Sequence, residues 1–380
     1  MKYVDEFRDA RIAKGLSQAI LKAADRTEPY RFMEFCGGHT HTMSRYGVVD
    51  LLPPNVEMIH GPGCPVCVLP AGRIDAAIRL ALSAPITLCV YADLMRAPGA
   101  RGDTLFKART RGADVRMIYS TLDALKIAEE RPEREIVFLA IGFETTTPPT
   151  ALALIRAKAL GLKNFSVFCN HVLTPAAMRA ILEQEGDGVR LDGVVGPAHV
   201  SMVTGTRAFE DVAQTYRKPV VVSGFEPLDL MQSILMLTHA VNSGRSEVEN
   251  QYTRAVSRDG NLKAQREMAE VFDVRESFEW RGLGEIPLSA LRLSSAFADF
   301  DAERRFAIST TPAADNPACE CGAVLRGVTK PNECKLFGTL CTPQTPMGAC
   351  MVSAEGACAA HYAYGRFRDR AGERREMVAS

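Results

Sequence analysis

The stretch EIVFLAIGFETTTPPT, residues 135–150, joins an apolar run to a polar turn and then to the proline-led start of a helix. A run of Val, Ile, Leu and Phe without polar alternation is typical of a parallel strand covered on both faces. The same order of apolar run, polar turn and helical stretch recurs between residues 30 and 237, so the sequence predicts βαβ units and an α/β fold. The other instances are RFMEFC with GGHTHT, VEMIH with GPGCPVC, PITLCVY with ADLMRAPG, FSVFC with NHVLTP, GVV with GPAHV, and PVVV with SGFEP.

The polar turns all follow predicted strands. In open α/β sheets, ligands bind at the edge where the carboxyl ends of the strands meet, so these turns are expected to line a common crevice. The pairs Thr147–Pro148 and Thr174–Pro175 predict two helix starts, with threonine as the N-cap and proline at the first helical position.

The number of units favours two parallel-sheet α/β domains over one sheet. We place them at residues 30–130 and 131–240, with the charged stretch AEERPERE, residues 128–135, as the joint between them. After about residue 242 the rhythm weakens into mixed helix, over 246–272, and irregular segments. Residues 1–29, read as a helix and a polar linker, are therefore grouped with 241–380 as a third, mixed and loop-rich domain that carries the late cysteines.

Composition narrows the functional class. Of the 380 residues, 47% are apolar and 24% are charged, and the formal net charge is zero, which favours neither a nucleic acid nor a membrane surface as partner. The charged start lacks the apolar core of a signal peptide, and no apolar run approaches about 18 residues. We therefore expect a cytoplasmic protein, in which clustered cysteines usually serve metals or redox chemistry.

Six of the eleven cysteines fall within forty residues near the C-terminus. Glycines, prolines and an asparagine between them predict a loop that folds back repeatedly, so that distant thiolates can converge. A metal or iron–sulfur site is favoured over a disulfide scaffold in a chain of this type. The six are Cys319, Cys321, Cys334, Cys341, Cys350 and Cys358.

CGGHTH, residues 36–41, follows a predicted strand and combines the thiol of Cys36 with the imidazoles of His39 and His41. Two glycines allow the backbone to approach a ligand closely. A thiolate beside imidazoles suits iron, zinc or copper. The alternative is a buried cysteine with two turn histidines.

GPGCPVC, residues 61–67, places Cys64 and Cys67 before a predicted helix. A cysteine near a helix N-terminus has a lowered thiol pKa, and the two-residue spacing permits a reversible disulfide. His60, just before the motif, is a candidate for tuning the thiolate. A metal pair and two inert thiols are the alternatives.

GFETTTPPT places Glu144 and three hydroxyls at the mouth of a helix, where backbone donors favour an anion. The carboxylate of Glu144 is a candidate for proton transfer, whereas a plain helix-capping cluster is the alternative. Cys169, His171 and His199 end later strands and are interpreted as structural more readily than as ligands. Cys89, inside an apolar run, is expected in the core.

Together these strings resemble those of the hydrogenase maturation protein HypD family over nearly the whole chain. The resemblance rests on CGGHTH, GPGCPVC, GFETTTPPT, NHVLTP, GPAHVS and SGFEPLD, and on the late series CxCGxVLRG, KPxxC and LFGxxCTPxxPxGxCMVSxEGxC. It implies two α/β domains plus a cluster domain. It also implies a scaffold that, with a small HypC-type chaperone, holds iron while two cyanides and one carbonyl are installed for [NiFe]-hydrogenase. HypE delivers the cyanide, which is made with HypF.

The resemblance also implies roles for particular residues. Cys36 would bind the iron that carries cyanide and carbonyl, and His39 and His41 would be supporting or proton-transferring groups. Cys64 and Cys67 would form a redox pair between the iron and a cluster. Glu144, with Thr145 and Thr146, would line the cleft.

A [4Fe-4S] cluster would be bound by four late cysteines, with Cys321 and Cys350 as extra thiols. A ligand set that uses Cys321 in place of Cys319 stays open at this point. The four ligands implied are Cys319, Cys334, Cys341 and Cys358.

A competing hypothesis is a cluster-dependent thiol–disulfide reductase that acts on a diffusible protein. It uses the same CPVC motif and the late cysteines, but it leaves CGGHTH unexplained. A nucleic-acid-binding iron–sulfur sensor is disfavoured by the neutral charge and the missing basic stretch. A radical enzyme is disfavoured because no C-x3-C-x2-C occurs.

Overall fold

The computed structural model describes residues 4–184 and 190–365. Its strands, in chain order, are β1 (Tyr30–Glu34), β2 (Val56–His60), β3 (Ile86–Val90), β4 (Val115–Met117), β5 (Glu135–Gly142), β6 (Phe165–His171), β7 (Gly193–Pro197), β8 (Val220–Ser223), β9 (Val248–Asn250), β10 (Phe272–Val274), β11 (Ser277–Trp280), β12 (Gly284–Pro287) and β13 (Leu291–Leu293). The charged residues 366–380 lie outside the described part of the chain.

The helices in the same residues alternate with the strands through the first two-thirds of the chain. They are α1 (Ala10–Ala23), α2 (Gly37–Tyr46), α3 (Pro65–Val68), α4 (Ala71–Ser83), α5 (Leu105–Thr110), α6 (Thr121–Glu130), α7 (Thr147–Ala159), α8 (Thr174–Glu183), α9 (Ala198–Thr204), α10 (Glu210–Tyr216), α11 (Pro227–Asn242), α12 (Leu262–Val271), α13 (Ala302–Arg305), α14 (Cys321–Leu325) and α15 (Ala357–Ala360), with short 3₁₀ and π segments between them.

Two parallel sheets form the centre of the molecule. One has the strand order β2-β1-β7-β8-β9 and the other has the order β4-β3-β5-β6. Strand β5 is entirely apolar from residue 136 onward and is buried along that length, as expected for a strand covered on both faces. The predicted α/β class with parallel βαβ units is therefore confirmed.

The two sheets divide the chain differently from the expected boundary at residues 130 and 131. Strands β1 and β2 belong to the first sheet, residues 86–171 form the second, and the chain then returns to the first sheet with β7. The stretch 128–135 connects α6 to β5 inside the second sheet, so the interpretation of it as a joint between domains is wrong. Apolar runs cannot reveal this crossing, because strand pairing is set by long-range packing.

Two helix starts differ by one residue from the sequence prediction. The N-caps of α7 and α8 are Thr146 and Leu173, so the two prolines stand at the second helical position. The hydroxyls of Thr147 and Thr174 instead donate to the Phe143 carbonyl and to the Glu144 carboxylate. Tertiary partners thus replace the expected capping bonds.

The later part of the chain is mixed, as predicted. Strands β10 with β13 and β11 with β12 form two antiparallel pairs, and the region 319–358 consists mainly of loops and short helical turns. The expected helix over 246–272 is shorter, because β9 takes 248–250 and α12 begins at Leu262. Cys89 lies in the core, as expected.

A charged triad joins this later region to the second sheet. One Glu303 carboxylate bonds both the Arg73 guanidinium, at 2.8 Å, and the Arg275 guanidinium. Arg73 also donates to the Cys169 carbonyl, at the end of β6, and to Asn170. Two largely buried cations therefore share a single counter-charge.

We expect Glu303→Ala to lower the free energy of unfolding by about 3 kcal/mol, because it leaves two buried guanidiniums uncompensated. Urea denaturation followed by circular dichroism measures the loss. Glu130→Ala is the control: Glu130 forms an exposed pair with Lys126 at 3.7 Å, worth less than about 0.5 kcal/mol. Equal losses in the two variants would contradict a stabilising role for the triad.

Candidate functional site

The thiol of Cys36 lies at the carboxyl end of β1, in the first sheet. Cys36 is the N-cap of α2 and only 1% exposed. Its Sγ is 3.6 Å from Nδ1 of His199, which stands at the start of α9 just after β7. Neighbouring parallel strands therefore deliver the thiol and the imidazole to the same sheet edge, as the sequence predicted for the polar turns.

The surroundings of Cys36 disfavour a free thiolate. Burial raises its pKa well above the ordinary value, and the charges of Glu355 and Glu34 raise it further. Burial also lowers the pKa of His199 to about 4, so the imidazole is neutral near pH 7. In the protein alone this pair is uncharged, and a bound cation would be needed to stabilise the anionic sulfur.

Glu34 organises this loop and was missed by sequence reasoning. Its buried carboxylate accepts bonds from the Cys36 backbone N–H at 2.8 Å and from the Thr40 hydroxyl, and it lies 3.1 Å from Nδ1 of His60. Burial raises the pKa of Glu34, and the bond with His60 opposes that shift. The available signal was an acidic residue inside the otherwise apolar run RFMEFC. His60 therefore contacts Glu34, rather than acting directly on Cys64 as the sequence suggested.

The two histidines of CGGHTH occupy different surroundings. His39 is buried, its Nε2 is 3.1 Å from the Ser223 carbonyl, and its Nδ1 is buried without a hydrogen-bond partner. Burial lowers the pKa of His39 to about 4. His41 is half-buried and lies edge-on to the Tyr364 ring, with the ring centres 5.3 Å apart.

Cys64 and Cys67 form a disulfide, with their Cα atoms 5.2 Å apart. Cys64 is the N-cap of α3, so the pair stands at a helix start, as predicted. The preceding turn lies directly against Cys36: the Gly63 carbonyl accepts from the Gly37 N–H at 3.2 Å. A Cβ at position 63 would lie 2.3 Å from the Cys36 nitrogen, so glycine is required for this approach.

The other end of the CPVC segment meets the late cysteines. The Cys67 sulfur is 4.0 Å from the carbonyl oxygen of Ala349, the residue before Cys350. The thiols of Cys350 and Cys321 are hydrogen-bonded to each other. The disulfide thus lies between the Cys36 loop and the cysteine-rich region.

One pocket collects most of the late thiols. Five cysteines line it, together with Glu320 and five apolar side chains; the cysteines are Cys319, Cys321, Cys334, Cys341 and Cys358. None of these five is in a disulfide. Distant cysteines therefore converge on one point, as the turn-rich sequence predicted.

The chemistry of this pocket fits an iron–sulfur cluster. Hydrogen bonds with Cys321 and Cys350 lower the pKa of Cys358 to about 6, so one thiolate is available near neutral pH. A Cβ at position 348 would lie 2.3 Å from the Cys319 sulfur and 2.6 Å from the Cys321 sulfur, so Gly348 keeps space beside the thiols.

Within residues 4–184 and 190–365, no three His, Cys, Asp or Glu side chains have the arrangement that would hold a single metal ion. Ligands of a cluster bind different iron atoms and stand further apart than the ligands of one ion, so a cysteine-lined pocket without a single-ion site is compatible with a cluster.

Glu144 lies at the end of β5 in the second sheet. Its buried carboxylate accepts from the backbone N–H of Thr174, at 2.9 Å, and from the Thr174 hydroxyl, at 2.7 Å. It therefore bonds the first turn of α8 and ties the two polar turns together. Burial raises the pKa of Glu144 to about 7, against these hydrogen bonds. The neighbouring Thr145 hydroxyl is buried without a hydrogen-bond partner.

A raised pKa in the folded state means that the native protein binds the Glu144 proton more tightly than the unfolded chain. Stability from this group is therefore present below about pH 4.5 and is lost as pH rises to about 7, by about 3 kcal/mol. We expect Glu144→Gln to remove that part of the pH dependence, as measured by urea unfolding at a series of pH values. Parallel pH profiles of the variant and the parent protein would contradict this assignment.

Comparisons with known proteins cover nearly the whole chain. The HypD family model, described as "Hydrogenase formation hypA family", matches residues 11–365. The chain is 65% identical over 373 residues to hydrogenase maturation factor HypD2 of Bradyrhizobium diazoefficiens, covering 97% of this chain and 98% of the relative. It is 61% identical over 373 residues to HypD of Cupriavidus necator, with the same coverage.

A more distant relative matches over the same span. Hydrogenase maturation factor HypD of Escherichia coli K12 is 47% identical over 369 residues, which cover 96% of this chain and 98% of the relative. Agreement over the full length of both chains extends the resemblance beyond isolated motifs. The chain belongs to the HypD family of hydrogenase maturation factors.

Proposed function

We propose that this protein is the scaffold on which an iron ion receives two cyanides and one carbonyl during [NiFe]-hydrogenase maturation in the cytoplasm. A HypC-type chaperone would share the iron, and HypE would deliver cyanide made with HypF. The observation that carries the proposal is the arrangement of the sulfur groups. The Cys64–Cys67 disulfide lies between the Cys36 loop and a pocket lined by five cysteines.

In this proposal Cys36 supplies the thiolate ligand to the iron. The buried thiol is costly to ionise in the protein alone, and an iron(II) cation would offset that cost by binding the sulfur. Glu34 holds the Cys36 backbone N–H, which fixes where the thiol lies. The neutral His199 imidazole beside the thiol can accept the proton that the thiol releases when iron binds.

The Cys64–Cys67 pair would supply electrons for cyanide release. A partner thiocyanate accepts two electrons and one proton to give a partner thiol and cyanide. The reduced pair gives up two electrons and two protons as its sulfur–sulfur bond forms, so one proton is left over. The pair must then be reduced again before the second cyanide is delivered.

Four cysteines of the lined pocket would hold a [4Fe-4S] cluster: Cys319, Cys334, Cys341 and Cys358. When bound, such a cluster supplies one-electron transfer. Cys321 shares a hydrogen bond with Cys350, which lies behind the pocket rather than in its lining, and we therefore leave Cys321 out of the set.

The thiol–disulfide reductase hypothesis fits the burial less well. Cys64 and Cys67 are only 3% and 1% exposed. A diffusible protein disulfide must reach an attacking sulfur directly, whereas a small ligand at Cys36 needs no such access. The burial of the pair therefore supports reaction inside an assembled complex.

Replacing Cys36 by alanine should abolish the infrared bands of iron-bound cyanide and carbonyl in the protein purified together with its HypC-type partner. The reason is that the variant lacks the thiolate that holds the iron. Cys89→Ala is the control, since Cys89 is an equally buried thiol in the core of the second sheet. Bands of normal intensity in Cys36→Ala would rule out this role.

Cys334→Ala should lose the visible absorbance of iron–thiolate charge transfer and the acid-labile sulfide of the anaerobically purified protein, because a cluster ligand is missing. Cys319→Ala should behave in the same way. Cys321→Ala is the matched control and should keep both signals. The reverse result, with Cys321 essential and Cys319 dispensable, would replace Cys319 in the ligand set.

A further inference from the structure

One aromatic ring contacts both imidazoles near Cys36. The Phe225 ring stacks on His39, with the centres 5.1 Å apart and the planes at 27°. It also packs on His199, at 4.9 Å and 34°. His199 is the residue whose nitrogen lies 3.6 Å from the Cys36 sulfur. Phe225 is thus one contact away from the thiol and belongs to the segment SGFEP, to which no role has been assigned above.

The turn that carries Phe225 is fixed on several sides. The Phe225 carbonyl accepts from the Thr42 hydroxyl at 2.7 Å, and the Gly224 N–H donates to the Gln251 side chain at 3.1 Å. The next residue, Glu226, donates its N–H to Asp229 at 3.2 Å. Since the backbone is held before and after the ring, the Phe225 side chain has a defined direction rather than that of a loose loop.

Close contact with the ring depends on glycine in CGGHTH. A Cβ at position 38 would lie 3.0 Å from Cδ1 of Phe225 and 3.5 Å from the Cys36 sulfur. Gly38 therefore separates the ring from the thiol by no more than a backbone. Behind the ring, Tyr252 lies edge-on at 6.3 Å, and the Arg254 guanidinium lies 4.0 Å from the Tyr252 ring centre while it bonds Asp229.

We propose that Phe225 is a positioning residue that holds the His199 imidazole against the Cys36 thiol and thereby covers the sulfur. Stacking fixes the plane of the imidazole, and the imidazole fills the space through which water and reagents would reach the thiol. The inference deepens the proposed function, since it concerns the thiol to which we assign the iron, although the packing itself requires neither iron nor a partner.

The test is a double-variant cycle on the full-length protein, read out by the rate at which iodoacetamide alkylates each thiol, measured by peptide mass spectrometry. Phe225→Leu keeps an apolar side chain but removes the flat ring. We expect alkylation of Cys36 to accelerate about three- to tenfold in Phe225→Leu, and at least as much in His199→Ala. In Phe225→Tyr, which keeps a ring, we expect little change.

If Phe225 acts through His199, the double variant alkylates Cys36 at the rate of His199→Ala alone. Multiplied effects, or an unchanged rate in Phe225→Leu, overturn the proposal. Alkylation of Cys89, buried in the second sheet, reports loosening of the whole fold; acceleration at Cys89 equal to that at Cys36 also overturns it. Tyr119→Leu is the matched control, because that ring is 97% exposed.

This assay separates the inference from the proposed function. A non-additive cycle together with normal cyanide bands in Cys36→Ala would support the positioning role and reject the iron assignment. An additive cycle together with lost bands in Cys36→Ala would do the opposite.

Discussion

The close approach of Gly63 to the backbone of Cys36 is the contact on which the arrangement of the site depends. With no side chain at position 63, the GPGC turn lies against the Cys36 loop, and the disulfide-forming pair follows directly at the start of α3. Any side chain at position 63 would collide with backbone, which cannot move away as the end of a flexible side chain can. Because the first sheet places β2 beside β1, the two turns leave adjacent strands at the same edge.

Burial sets the electrostatics of this edge. Cys36, Glu34 and His39 lie in surroundings that disfavour charge, which raises the pKa values of the thiol and the carboxyl and lowers that of the imidazole. A buried thiol beside carboxylates gains more from a bound cation than an exposed thiol does. In the proposed function, the same burial that keeps Cys36 protonated in the protein alone favours iron over free ionisation.

Much of the site was predictable because it follows from local sequence. Each polar turn was recognised at the end of an apolar run, and residue type alone marked Cys36, the Cys64–Cys67 pair and the late cysteines. Glu34 was overlooked, since a single acid in a strand carries no information about the partners that bury it. Phe225 was overlooked for a similar reason: an aromatic residue in a turn looks ordinary until two imidazoles from other elements pack on it.

The sequence by itself determined the α/β class, the position of each reactive side chain in its turn, and the clustering of the late thiols, because these depend on residue type and short-range spacing. Only the tertiary structure decided that residues 86–171 form a sheet of their own, that Glu144 bonds the start of α8, and that the disulfide lies between Cys36 and the late cysteines. The physical reason is that strand pairing and side-chain packing join residues far apart in the chain. Their free energies come from burying complementary surfaces, and no local pattern records those surfaces.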